Sequence, residues 1–192
     1  MAFSIDQLKS KISQKGGIAL ADLFEVKLPA IPGFDGIDEL NVLCKDVNIP
    51  GRQITSNDRL IGMHLEKVAY GYAVADVSAT FLCLNDFYVR KYFEAWQALA
   101  VNPETFELGY SHGPNGYAKD VSIYQLSKNS EMTEENNMGF LQPDADSKKV
   151  YGVKLEYAYP TTLNGIGYAN ENQNIVEINV QLSYRNWKPI EL

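Results

Sequence analysis

QNIVEINVQLSYRNW, residues 173–187, alternates without a break from Ile175 to Arg185. Val176, Ile178, Val180, Leu182 and Tyr184 fall on one side, and Glu177, Asn179, Gln181, Ser183 and Arg185 on the other. A period of two is the pattern of a strand with one face in a core and one in water. At about 3.3 Å per residue the segment spans roughly 36 Å, about twice an ordinary strand. From Ile175 to Tyr184 it holds neither Pro nor Lys, the residues that usually blunt an exposed edge. Such a strand is either central in its own sheet or pairs with another chain.

The rest of the chain extends this β reading. At 192 residues, 45% apolar and 21% charged, it is one globular domain by length and composition. DLFEVKLP (22–29) places Phe24, Val26 and Leu28 on one strand face before Pro29. LNVLCKDVNI (40–49) predicts a second strand, closed by Pro50-Gly51. Residues 51–63 lack a clear period and are expected to form a long loop. Strand patterns resume at 65–70 and 74–84, then at 120–126 and 149–160.

One helix is predicted after Asn85-Asp86, where Val89, Tyr92, Phe93, Trp96, Leu99 and Ala100 recur at helical spacing until Pro103. Tyr92, Phe93 and Trp96 are its packing residues, and so aromatic a stripe must lie on the open side of a sheet. Residues 1–17 form a Lys-rich arm, with Ile5, Leu8 and Ile12 at helical spacing. Residues 128–149 form a polar, acidic insertion. About seven strands, one helix and no βαβ alternation predict a mainly β fold, an antiparallel sandwich or barrel.

The sequence offers little chemistry. His64 and His112 lack partners at metal-ligand spacing, and Cys44 and Cys83 form no CxxC pair. Both cysteines sit in apolar strand patterns and are expected as buried, reduced thiols. HExxH and Walker A sequences are absent. Gly165-Ile166-Gly167 reads as a turn, and the carboxylates of 134–146 as solvated charge. No catalytic, cofactor or metal site is expected. A formal charge of −7 without clustered Lys or Arg excludes tight phosphate gripping. No apolar run approaches the roughly 18 residues of a membrane helix, and the start of the chain lacks a signal-peptide pattern. The expectation is a protein that stays where it is made.

In order along the chain stand LFEVKLP (23–29), LCKDVNIPGRQI (43–54) and VAYGYAVADVSATFLCLNDFYVRKYFEAWQ (68–97). YAKDVSIYQL (117–126), LEYAYPTTLNGIGY (155–168) and NIVEINVQLSYRNW (174–187) complete the series. Together they resemble the tail tube protein family of T-even-type contractile bacteriophages, from about residue 22 to 187. The resemblance implies a non-enzymatic virion subunit assembled in the host cytoplasm. Six copies would join their sheets into a β-lined ring, and rings would stack into the tube that carries DNA from the head. Implied partners are further copies of itself, the tail sheath protein, the baseplate tube-initiating proteins and the tape measure protein, with DNA only in transit.

On that footing, Arg52, Gln53 and Arg59 of the 51–63 loop are expected to reach the neighbouring ring. Asp76, Ser78, Thr80, Glu177, Asn179 and Gln181 are candidates to line a DNA-repelling channel. The arm and the insertion do not match the family pattern. Alternatives are a baseplate-proximal initiator ring, a tube subunit of a related injection system and, from another class, a monomeric ligand-binding β-barrel.

Overall fold

The computed structural model describes residues 4–14, 17–34, 37–113, 116–127, 149–168 and 175–191. In chain order the elements are α1 (Ile5–Gln14), β1 (Phe24–Lys27), α2 (Ile37–Val42), β2 (Cys44–Val47), β3 (Arg52–Ile61) and β4 (His64–Val74). Then follow β5 (Val77–Leu82), α3 (Tyr88–Ala100), β6 (Lys119–Leu126), β7 (Lys149–Leu163), β8 (Glu177–Ser183) and β9 (Asn186–Ile190). All pairings between these strands are antiparallel.

The fifteen-residue β7 organises the sheet. Its first half pairs with β6 on one side and β9 on the other, and its second half pairs with β8. Tyr159 opposes Ser183 and Glu156 opposes Asn186, so β8 and β9 run along one side of β7 as a single interrupted ribbon. The interruption faces the point where β7 itself bends. Tyr157 has a φ of 56° there, its N–H meets Asp120 Oδ1 at 3.3 Å, and Arg185 N–H donates to the Glu156 carbonyl at 3.0 Å. A left-handed tyrosine costs on the order of 1 kcal/mol and is held only by its surroundings. The alternation of 175–185 keeps its phase, with Ile178, Val180, Leu182 and Tyr184 buried. The strand is shorter than expected, because the ribbon must turn where β7 turns.

Outward from this ribbon the order is β1-β6-β7-β8-β5-β2. The strand that reads as a possible template for another chain is therefore central, between β5 and β7. The β1 and β2 ends of the path do not pair with one another, so the sheet is not a closed barrel. The two ends of this path are four-residue strands carrying charges, Glu25 and Lys27 on one and Lys45 and Asp46 on the other.

One core lies beneath both halves. Val26, Ile123, Val153 and Leu155 come from one half; Val77, Phe81, Ile178 and Val180 come from the other. α3 fills the space between with Tyr92, Phe93 and Trp96, each 0% exposed. The Phe81 and Phe93 rings tilt together at 5.1 Å, an arrangement favoured by their quadrupoles. Polar tips find partners: Tyr92 Oη donates to the Pro29 carbonyl at 2.6 Å, and Trp96 Nε1 to that of Tyr117 at 2.7 Å.

Three local expectations change. Residues 37–42 are helical, with Asp38 and Glu39 in the first turn and Leu40 buried; acidic groups at that end favour helix entry, and only 44–47 remain strand. The described residues thus hold three helices instead of one. α3 starts at Tyr88, and Asp86 meets the Tyr88 N–H at 3.1 Å from one residue outside the N-cap, Phe87. Cys44 and Cys83 are free but only half-buried. Burial still pushes the Cys44 thiol up to about 12 and raises that of Cys83, so both are protonated and poor nucleophiles at neutral pH. The insertion expected at 128–149 lies outside the described residues except for Lys149, the first residue of β7.

Trp96→Ala removes the largest core side chain and strands the Tyr117 carbonyl. It should lower stability by about 3–5 kcal/mol, measured by denaturant unfolding of the folded chain.

Candidate functional site

Register gathers most of the polar strand residues on the face opposite the core. Ser78 opposes Gln181, Thr80 opposes Asn179 and Leu82 opposes Glu177. Asp46 on β2 continues the Thr80 row and Thr162 on β7 the Gln181 row. Ser78 Oγ donates to Asn179 Oδ1 at 3.4 Å, and Asn179 Nδ2 to Thr80 Oγ1 at 3.5 Å. Glu177, at the end of this patch, pairs with Lys45. Asp76 lies off the rows, in the link between β4 and β5. There it helps burial raise the Tyr184 hydroxyl, which donates to the Ala75 carbonyl at 2.8 Å. The face is mostly hydroxyl and amide, with the positive charge of Lys45 compensated.

The outer face of the other half differs. Lys154–Asp120 and Lys188–Glu156 pair at 2.7 Å and Lys149–Glu25 at 3.0 Å. The Tyr124 ring lies over Gly152, where a Cβ would sit 2.8 Å from it, with Lys149 Nζ 4.2 Å from its centroid. Exposed pairs of this kind contribute little to stability, so their value lies in the charge pattern they present.

Residues 52–61, expected as a loop, are a strand. β3 pairs along its full length with β4, from Arg52↔Val74 to Ile61↔His64, with Tyr70 the extra residue at a bulge. Gly62 (φ 65°) and Met63 make the turn, with Gly first as type II′ turns require. This two-stranded sheet is separate from the main one. Burial alternation is missing because both faces are exposed, which hides the strands from a period-based reading. Ile54, Leu60 and Tyr70 are each about two-thirds exposed, and Met63 wholly so. An isolated hairpin is marginal in water, and so much apolar surface on a projecting element marks a contact region.

Arg52, Gln53 and Arg59 are separated along this hairpin. Arg59 lies opposite Glu66 near the tip, whereas Arg52 and Gln53 stand at the base. There the Arg52 guanidinium lies between Tyr72 and Trp187, 5.1 and 4.7 Å from their centroids. Its Nη2 donates to the Trp187 carbonyl at 3.4 Å, and Trp187 Nε1 to that of Gly51 at 3.4 Å. Arg52 therefore joins the hairpin to β9.

His64 is exposed beside the hairpin turn, and the His112 ring rests on Tyr157 at 4.6 Å. Among the described residues, no group of three or more His, Cys, Asp or Glu could hold a metal ion. No described helix is long and apolar enough to cross a membrane.

An open antiparallel sheet on one aromatic helix, with a projecting hairpin, is a fold found in contractile injection machines. A chain of the anti-feeding prophage tube-terminating cap matches with a TM-score of 0.61 at 10% identity, over 91% of this chain and 92% of that one. One from the extended sheath–tube complex of an extracellular contractile injection system, PVC, gives 0.59 at 11%, over 100% of both. One from the anti-feeding prophage baseplate gives 0.57 at 13%, over 90% and 95%. At these identities the likeness is one of fold. The chain belongs to the phage tail tube protein family, whose profile matches residues 14–189. That family is one of structural tube proteins; no curated protein matches the sequence.

Arg52→Ala should release the hairpin base at a cost of about 1 kcal/mol. Hydrogen exchange should then speed up in β3 and β4 while the β6–β7 amides stay protected; uniform exchange would refute the anchoring role.

Proposed function

We propose that this chain is the repeating subunit of a tail tube. Six copies close into a ring through their sheet edges, and rings stack head to tail around a channel for DNA. The observation that carries this is the β3–β4 hairpin, which leaves the body with apolar side chains exposed on an element that cannot stabilise itself. A neighbouring copy supplies the missing cover, and a non-closing contact of this kind propagates into a filament. Arg59 and the tip of residues 60–65 make the inter-ring contact. Arg52 sets the hairpin's direction, and Gln53 flanks its base.

In this reading the hydroxyl–amide face of Ser78, Thr80, Asn179 and Gln181 lines the channel, with Asp76 adding negative charge and Glu177 balancing Lys45. Phosphates meet acceptors, neutral groups and a lysine already paired with Glu177, so DNA passes without being held. The ion-paired face of β6, β7 and β9 turns outward toward the tail sheath protein. Baseplate tube-initiating proteins begin the stack, and the tape measure protein occupies the channel during assembly in the host cytoplasm.

A second reading, a baseplate-proximal initiator ring or a tube subunit of a related injection system, is favoured by the near-equal likeness to a baseplate chain and a tube-complex chain. A ligand-binding barrel is disfavoured by the aromatic side chains filling the interior.

Negative-stain electron microscopy of the purified chain tests the assignment. Hollow six-fold filaments are expected, and removal of residues 60–65 should leave rings that no longer stack. A ring that stops at one layer favours the initiator, and a monomer at high concentration overturns the tube.

Lysine at Asp76 and Gln181 should slow DNA ejection, since each change puts cations against phosphates. Gln181 is chosen because Glu177→Lys would also break the Lys45 pair. Ejection at the normal rate, with tubes intact, would remove the channel assignment.

A further inference from the structure

Two further apolar surfaces lie outside both the core and the proposed ring contacts. The first is α1. It has ten residues and none is buried. An isolated helix that short is marginal in water, because nucleation costs more than so few hydrogen bonds return. Ile5, Leu8 and Ile12 form one stripe along it, with Ile5 72% and Leu8 54% exposed. At 100° per residue, Lys9 falls on one flank of that stripe and Lys11 on the other. The helix is thus an apolar strip with basic borders.

The second is the turn after α3. Phe106, Leu108 and Tyr110 are 80%, 79% and 87% exposed, yet their backbone is firmly braced. Asn102 Oδ1 accepts from the Glu104 and Thr105 N–H groups at 2.9 and 3.3 Å. Phe106 N–H donates to the Asn102 carbonyl, Asn102 N–H to that of Glu107, and Gly109 N–H to that of Ala100. Gly109 is held so close to the end of α3 that a Cβ there would lie 1.9 Å from the Leu99 carbonyl oxygen. Phe106 is fixed with a φ of 58°. A braced turn that holds three large apolar side chains in water has already lost the entropy that binding would otherwise cost. Glu104 and Glu107 border it with negative charge.

The two surfaces complement one another, apolar to apolar and basic to acidic. We propose that α1 of one copy docks on the 102–110 turn of a neighbouring copy, its Leu8 side against Phe106 and Leu108 and its lysines beside Glu104 and Glu107. The occupant is a second copy because both halves of the contact belong to this chain, and a two-sided, non-identical contact joins successive copies. The inference rests on the tube assignment, and order in α1 then becomes a consequence of assembly.

Chains carrying Leu8→Cys and chains carrying Leu108→Cys, both with Cys44→Ser and Cys83→Ser, are co-assembled and treated with a short bismaleimide. Mixed dimers should form about tenfold more readily than with Val150→Cys in place of Leu108→Cys, since docking sets a high effective concentration. Val150 is also an accessible site, 60% exposed against 79% for Leu108. In the native-cysteine background, Lys9→Glu with Lys11→Glu should reduce pelletable assemblies, and Glu104→Lys with Glu107→Lys on the same chain should restore them. That swap keeps the test open if the serine background misfolds. Intact tubes without Leu8–Leu108 cross-links, and without charge-swap rescue, would overturn this docking and leave the tube standing. Absence of rings from the unmodified chain would overturn the tube itself. Flotation of the chain with phosphatidylglycerol vesicles, lost on Lys9→Glu with Lys11→Glu while assembly is unchanged, would reassign α1 to a lipid surface and overturn the docking.

Discussion

The bend at Tyr157 is the constraint on which the rest of the fold depends. β7 is long enough to serve two half-sheets, and it does so only because its backbone turns at one left-handed residue. The opposite ribbon must turn with it, which divides β8 from β9 at Tyr184–Arg185. β6 and β1 then extend from the first half of β7, and β5 and β2 from β8. α3 fills the angle between the halves. The strain at Tyr157 is sustained by Asp120 beneath its N–H and by the ring of His112 at its side. Residues distant in sequence thus converge on one backbone position, as sustained strain requires.

A single core explains what is left over. The buried residues belong to α3, α2 and the inner face of the main sheet, with short contributions from the 28–31 segment. β3, β4, α1 and the turn after α3 contribute almost nothing to it, although they hold much of the exposed large apolar surface. A chain acting alone gains nothing from displaying Ile5, Met63, Phe106 and Tyr110 together. Such side chains lose the transfer free energy of burial, about 25 cal/mol per Å² of apolar area, until a partner covers them.

How much of this is legible in the sequence depends on where burial falls. Alternation marks Val77, Ala79 and Phe81 on β5 and Ile178, Val180 and Leu182 on β8 with the correct phase, because one face of each is dry. The α3 stripe is legible for the same reason. Leu40 misleads, since one buried leucine in a six-residue helix fits a strand pattern equally well; the acidic pair Asp38-Glu39 is the signal for the helix. β3 is invisible to periodicity because neither face is buried, and only Gly62 between β-branched and apolar neighbours hints at a hairpin. The rows of Ser78, Thr80, Asn179 and Gln181 need register, which alternation alone does not supply. Arg52 needs tertiary contact, since Tyr72 and Trp187 are far from it in sequence.

Charge decides how such surfaces can act between copies. Each chain carries a formal −7, so copies repel at long range, and salt weakens that repulsion over about 8–10 Å. Attraction has to come from contacts shorter than this, which are apolar or locally charge-matched. The braced Phe106 turn and the β3–β4 hairpin meet that requirement, because their large apolar side chains are exposed. Long-range repulsion with short-range adhesion makes the first contacts hard to form and later ones easier, since a growing stack holds several surfaces in place at once. In a proposed tube that behaviour favours adding copies to a stack already begun over beginning many short ones. It also assigns a purpose to elements that weaken the isolated subunit: their stability is deferred to the assembly.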